Sequence, residues 1–163
     1  MNLAPLHPRV VHFPIALLLL GSAAALLYLF GPRAFRFIAP AELRTLAWWP
    51  LRLGWLGVAL AVLTGLFDQG RLPPQAPYSA TLNWHIGSGL ALLVVYGILL
   101  YRQWLWKKQR RPPDGVEDLL DSPAARPWVA LLLAVGIALV VLSGWLGGAL
   151  VYTWGVNVDA LPR

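Results

Sequence analysis

From Phe13 to Phe30 the chain carries no charged side chain, and only Gly21, Ser22 and Tyr28 soften its apolar character. A run of about 18 or more such residues reads as a membrane-spanning helix. Immediately before it stands Leu6-His7-Pro8-Arg9-Val10-Val11-His12-Phe13-Pro14, which holds two of the three histidines. An ionisable residue at the mouth of an apolar span is costly, so it is a functional candidate. His12 is that residue, and the question is what else in the chain meets it.

Three further apolar segments follow. The hydropathy pattern predicts helices over about 10–30, 46–67, 82–104 and 127–152, forming one all-α, four-transmembrane-helix bundle across 1–163. The chain is 58% hydrophobic and only 12% charged. A soluble domain carries about a quarter charged residues. With no cysteine, disulfides and thiolate-ligated metal or iron–sulfur centres are excluded. The net charge of +6 marks a membrane side rather than a nucleic-acid partner. Ser22-Ala23-Ala24-Ala25 resembles a signal-peptide cleavage site, but Leu26–Phe30 continues the run, so the expectation is a retained helix.

Pro14 is tolerated if it lies in the first turn of the first helix. If the helix starts at Pro8, Pro14 removes a bond to the carbonyl of Val10, so the backbone near His12 is irregular in either case. In the second helix Gly54, Gly57, Ala61, Gly65 and Asp68 recur at three- and four-residue steps. That is a small-residue stripe ending in a carboxylate, and such stripes let membrane helices approach closely. Trp48 and Trp49 suit an interfacial belt, and Arg52 can snorkel to the headgroups. Residues 68–81 form a Pro-rich turn with Pro73, Pro74 and Pro77. The third helix opens with Asn83-Trp84-His85-Ile86-Gly87-Ser88-Gly89, which puts His85 and Gly89 on one face. Between the third and fourth helices lie a basic block (Lys107, Lys108, Arg110, Arg111) and an acidic patch (Asp114, Glu117, Asp118, Asp121), expected to be a solvated loop. The loops joining helices one to two and three to four, with their flanks, hold ten Lys and Arg. The other side holds Arg9, Arg71 and Arg163. The positive-inside rule then puts both termini outside the cytoplasm, in the cell (inner) membrane. His7, His12, Asp68, His85, Tyr152, Trp154 and Asp159 fall near that outer face, and the helix centres carry no ionisable side chain.

Three segments carry a family resemblance: HPRVVHFPIALLLL at the start, LTGLFD ending the second helix, and SGWLGGALVYTWGVNVD at the end. The chain resembles the predicted membrane protein family known as domain of unknown function 2231, over nearly its whole length. The family's usual residues map onto His7, Pro8, His12, Phe13, Pro14, Asp68, His85, Gly144, Gly147, Gly148, Val151 and Tyr152. Two positions depart from it: Ala149 stands where a glutamate is common, and Trp154 where a histidine often stands. Members are similar to domains fused to Rieske-type iron–sulfur modules, which implies electron transfer.

Four readings of the polar cluster compete. Haem b needs axial imidazoles on two helices at matching depth, and His12 and His85 offer them. Gly89 and Ala16 would leave room for the macrocycle, and Arg9, Trp145 or Tyr152 would meet the ring or its propionates. A quinone head would bond His12, Asp68 and His85 and pack on Trp145 and Phe13. A metal ion would take His12 and His85, with His7 and Asp68 or Asp159. In the last reading the same residues only bond one another or free backbone groups, as in a scaffold or accessory subunit. The expectation adopted is a small electron-transfer subunit of a respiratory chain holding haem b between His12 and His85. Its partners would be the lipid bilayer and an extracytoplasmic redox protein or larger membrane complex. No Ser/His/acid spacing suggests a hydrolase, and no lysine follows Gly144–Gly148 as a phosphate loop requires.

Overall fold

The computed structural model describes residues 6–31, 38–70, 72–73, 75–109 and 115–156. Among them there is no strand. The elements are α1 (His7–Val10), α2 (His12–Phe30), α3 (Pro40–Gln69), α4 (Ser79–Lys108), a single 3₁₀ turn at Leu119–Asp121, and α5 (Arg126–Tyr152). Four helices are long and apolar enough to cross a membrane: α1 with α2, α3, α4 and α5. Of the residues singled out above, Arg71, Pro74, Arg110, Arg111, Asp114, Asp159 and Arg163 lie outside the described residues, as do Arg33 and Arg36 of the first basic loop.

The helices extend further than hydropathy suggested. α3 begins at Pro40, six residues early, because Pro40 fits a first turn and Glu42 accepts a bond from the Ala39 N–H at 3.2 Å. α4 runs to Lys108. Thirty residues at 1.5 Å each make about 45 Å, more than the ~30 Å hydrocarbon core. Both helices therefore overrun the bilayer and carry their charged ends into the headgroups. At one end Arg52 lies over the Trp49 ring, Arg102 over Trp128 and Lys108 over Trp104.

The helical hydrogen-bond ladder is interrupted at Val11, between α1 and α2, but the backbone stays helical there, with the Val11 N–H bonded to the His7 carbonyl and the Ile15 N–H to the Val11 carbonyl. With the helix already begun at His7 and Pro8, Pro14 is the residue that takes a donor away from the Val10 carbonyl, the second of the two alternatives the sequence offered. It is buried against Gly57, where a Cβ would come within 2.9 Å of the proline ring. The stripe on α3 is the track on which α2 lies. A Cβ at Gly54 would meet Leu18 at 2.9 Å. From the other side, a Cβ at Gly21 would meet the Ala47 carbonyl at 2.9 Å. Lipid tails are as apolar as leucine, so this close backbone approach, not burial from water, holds the two helices together.

α2 packs most extensively on α3, and α4 on α5; contact between these two hairpins is sparser. At mid-bundle the seam is filled by Tyr96, which is fully buried and shares a 2.9 Å hydrogen bond with Ser22. Its ring lies over Gly136, where a Cβ would be 2.6 Å from Cζ. Trp55 donates across the seam to the Leu93 carbonyl at 2.9 Å.

The loop expected to be solvated is instead drawn into the bundle. Leu119, Leu120 and Ser122 are fully buried, and Asp118 is 7% exposed. The Asp118 carboxylate accepts from Trp48 Nε1 at 3.1 Å, Gln103 Nε2 at 2.8 Å and Leu120 N at 3.0 Å. Gln103 Oε1 accepts from Leu119 N at 3.0 Å. Asp121 takes Arg44 Nη1 at 2.7 Å and the Tyr28 hydroxyl. Trp48 and Gln103 sit on apolar helices, where a donor without an acceptor is costly. The acidic residues supply the acceptors, and Leu119 and Leu120 bring the turn inward. Glu117, by contrast, is exposed.

Candidate functional site

At the opposite end of the bundle the first and third spans bring two imidazoles together. They are His7 and His85, not His12 and His85. His7 opens α1; its backbone N–H donates to Asp68 Oδ2 at 3.0 Å. Asp68 is buried at the end of the α3 stripe and accepts the first free donor of α1. The bond runs back to the first helix of the chain and not to the helix that follows Asp68. The His7 ring lies on the same stripe: a Cβ at Gly65 would come within 3.0 Å of Nδ1. His85 is half-buried on α4, with Gly147 of α5 behind its ring.

The proton positions follow from the partners. His7 Nδ1 is 2.8 Å from the Ala61 carbonyl, and His85 Nδ1 is 3.0 Å from the Ser143 carbonyl. A carbonyl only accepts, so each Nδ1 carries a hydrogen. Each ring then has only Nε2 left, and the two Nε2 atoms are 3.4 Å apart. The ring centroids are 5.7 Å apart with planes at 82°. The centroid separation exceeds the Nε2 separation by about 2.3 Å, roughly twice the radius of an imidazole ring. The rings therefore meet head-on, lone pair toward lone pair. With the mid-point of α4 as the membrane centre, His85 lies about 13 Å from it, just inside the ~15 Å half-thickness.

His12 is elsewhere. It is exposed, and its Nδ1 lies 3.1 Å from the Pro8 carbonyl on its own strand of chain. The buried residues of the first span are Pro14, Leu18, Gly21, Ser22, Ala24, Ala25 and Leu29. At 100° per residue His12 lies about 200° from Pro14, on the outward side. His7 precedes Pro14 by seven residues, about two turns, and so shares the buried face. The heptad His7, Pro14, Gly21 is the signal in the sequence that could have picked His7 over His12. The expected juxtaposition of His12 with His85 is thereby corrected.

The other expected site residues do not converge on the pair. Arg9 and Phe13 are exposed, as are Trp145 at 70% and Tyr152 at 91%. Trp154 is exposed as well. Gly89 does not open a slot, because a Cβ there would lie 3.6 Å from Val62 Cγ2 of α3. Ala16 is exposed. Among the described residues no three His, Asp or Glu side chains form a group able to hold a metal ion. The residue that sequence reasoning underused is Gly147, which backs His85 within the Gly144–Gly148 run.

The opening and closing motifs thus meet at one place: His7 from the first, Ser143 and Gly147 from the last. The family described as predicted membrane protein (DUF2231) matches residues 3–160. The chain belongs to that family. No curated protein and no solved structure matches it. The family description goes no further than a membrane protein, so what the imidazole pair does has to be argued from its own chemistry.

Proposed function

We propose that this member of the DUF2231 family is a small integral membrane subunit whose working element is a one-cation site between His7 and His85. The observation that carries this is the head-on 3.4 Å approach of two Nε2 atoms whose Nδ1 partners are both backbone carbonyls. Two neutral imidazoles in that tautomer aim lone pairs at each other, which is repulsive. One positive charge between them turns the repulsion into attraction. A single proton suffices: one Nε2–H then donates to the other Nε2. Asp68, bonded to the His7 N–H, supplies the compensating negative charge that a buried cation requires.

Such a site suits a subunit that holds a proton or an electron-carrying ion at one face of the membrane. The electron-transfer role suggested by the sequence fits a redox-active ion at this pair better than a haem between His12 and His85. A macrocycle between the head-on rings would need the hairpins to part where Val62 already meets Gly89. The aromatic rings expected to pack on a quinone head, Phe13 and Trp145, are exposed and do not converge on the pair. The ten Lys and Arg counted in and beside the segments joining the first to the second and the third to the fourth span support an extracytoplasmic placement of the pair and of both termini, in the cell membrane.

The test is nitrogen NMR of the histidine-labelled chain in lipid nanodiscs. With only three histidines, His12→Ala leaves the pair alone in the spectrum. His7 and His85 are expected to show protonated Nδ1 atoms and coupled Nε2 signals, and either His→Ala change should alter both sets. Two independent rings, each with hydrogen on Nε2, would defeat the reading.

A further inference from the structure

The geometry points to a specific ion for the pair: copper(I), held in linear two-coordination by His7 Nε2 and His85 Nε2. This deepens the one-cation reading above and rests on it. Three features of the site select the ion.

The first is direction. The two lone-pair axes are nearly collinear, as the centroid and Nε2 separations together require. A tetrahedral ion bonded at about 2.0–2.1 Å would fit the 3.4 Å gap in distance, but would sit about 35° off each ring's lone-pair axis. An ion on the axis is bound end-on by both rings. Copper(I), a d¹⁰ ion with no directional d-electron preference, accepts that linear arrangement, and imidazole is among copper's ordinary ligands.

The second is ligand number. Divalent zinc, iron and nickel ions seek four or more ligands, and no third acidic or imidazole donor joins the pair among the described residues. The chain has no cysteine to compete for a soft ion. Two-coordination needs no third donor.

The third is charge. Two neutral imidazoles, a monovalent ion and the Asp68 carboxylate sum to zero. A divalent ion would leave an uncompensated charge just inside the hydrocarbon boundary.

The rings must separate slightly to admit the ion. A linear unit needs its nitrogens roughly 3.8 Å apart, about 0.4 Å more than the pair now has. Glycines permit this. Gly65 stands behind His7 and Gly147 behind His85, where a Cβ would already press to 3.0 and 3.2 Å. The Nδ1–H bonds to the Ala61 and Ser143 carbonyls fix tautomer and orientation, the outer-shell support that imidazole ligands ordinarily have.

The experiment offers the full chain, in detergent and under anaerobic reducing conditions, copper(I) as its bicinchoninate complex. The expected result is withdrawal of one copper per chain and an X-ray absorption spectrum of two nitrogens in line. His7→Ala and His85→Ala should weaken binding by more than about 100-fold, and His12→Ala should leave it unchanged. Gly65→Ala keeps both ligands yet crowds the His7 ring, and should weaken binding by about 10-fold. It guards against mistaking a folding defect for a lost ligand. The copper assignment is overturned by failure to take copper when NMR shows the pair intact. A shell of three or four light atoms, equal affinity for zinc(II), or a haem Soret band in the purified protein overturns it as well. If NMR shows no pair, the copper assignment and the one-cation reading fall together.

Discussion

Replacing Asp118 by alanine is expected to be the most damaging single change outside the helices. The carboxylate is the shared acceptor for three buried donors: Trp48 Nε1, Gln103 Nε2 and Leu120 N. An orphaned buried donor costs about 1–3 kcal/mol. The three do not simply add, because they share one acceptor and part of the turn relaxes. With three neutral donors left without that acceptor and some relaxation of the turn, the expected net loss is about 2–5 kcal/mol. The change also removes the side-chain cap on Leu120 N that starts the Leu119–Asp121 turn, so Leu119 and Leu120 lose their anchor. The assay is unfolding of the detergent-solubilised chain by increasing SDS fraction, followed by tryptophan fluorescence and far-ultraviolet circular dichroism. Glu117→Ala, one residue away and exposed, is the internal control and should shift stability by no more than about 0.5 kcal/mol. Asp118→Asn, which keeps one acceptor oxygen but turns an NH₂ toward the donors, should fall between the two. If Asp118→Ala unfolds at the same SDS fraction as Glu117→Ala, the loop does not close the bundle and the burial argument is wrong.

Tyr96→Phe should cost only about 0.6 kcal/mol in the same titration, the ordinary worth of one interhelical hydrogen bond in a membrane; a loss above about 2 kcal/mol would show that the Ser22 contact does more. Gly136→Ala is expected to cost about 1–3 kcal/mol, since its Cβ would sit 2.6 Å from Tyr96 Cζ; a neutral result would mean the ring is not where it is described. Because the chain has no cysteine, single cysteines at the exposed positions Leu6 and Pro123 report sidedness directly. In intact cells a membrane-impermeant maleimide should label Leu6→Cys and spare Pro123→Cys, and the reverse pattern would invert the proposed orientation. Arg44→Gln should cost less than about 1 kcal/mol, because its ion pair with Asp121 is partly open to solvent; a loss as large as that of Asp118→Ala would contradict this ranking.

The four spans and the α3 stripe were legible because each is a local pattern: a long apolar run and small residues at helical spacing. The partner of His85 was less so. His12 drew attention by adjoining the apolar run, whereas the face on which a side chain lies depends on phase, and seven residues separate His7 from Pro14. Tertiary pairing decided the fate of the acidic loop as well. Nothing near Asp118 in sequence announces Trp48 or Gln103, which lie 70 and 15 residues away. The helix ends were read short because hydropathy falls at the first charged residues, while backbone hydrogen bonding continues through them.

The sparse seam between the hairpins has a consequence for motion. His7 belongs to one hairpin and His85 to the other, while the Asp118 and Asp121 clasp gathers three helices at the far end. A charge gained or lost between the two rings acts at the free tips of a pair of jaws, where a small change in attraction has the longest lever arm. Occupancy of one small gap at the membrane boundary would thereby set the separation of the helices along the rest of that half.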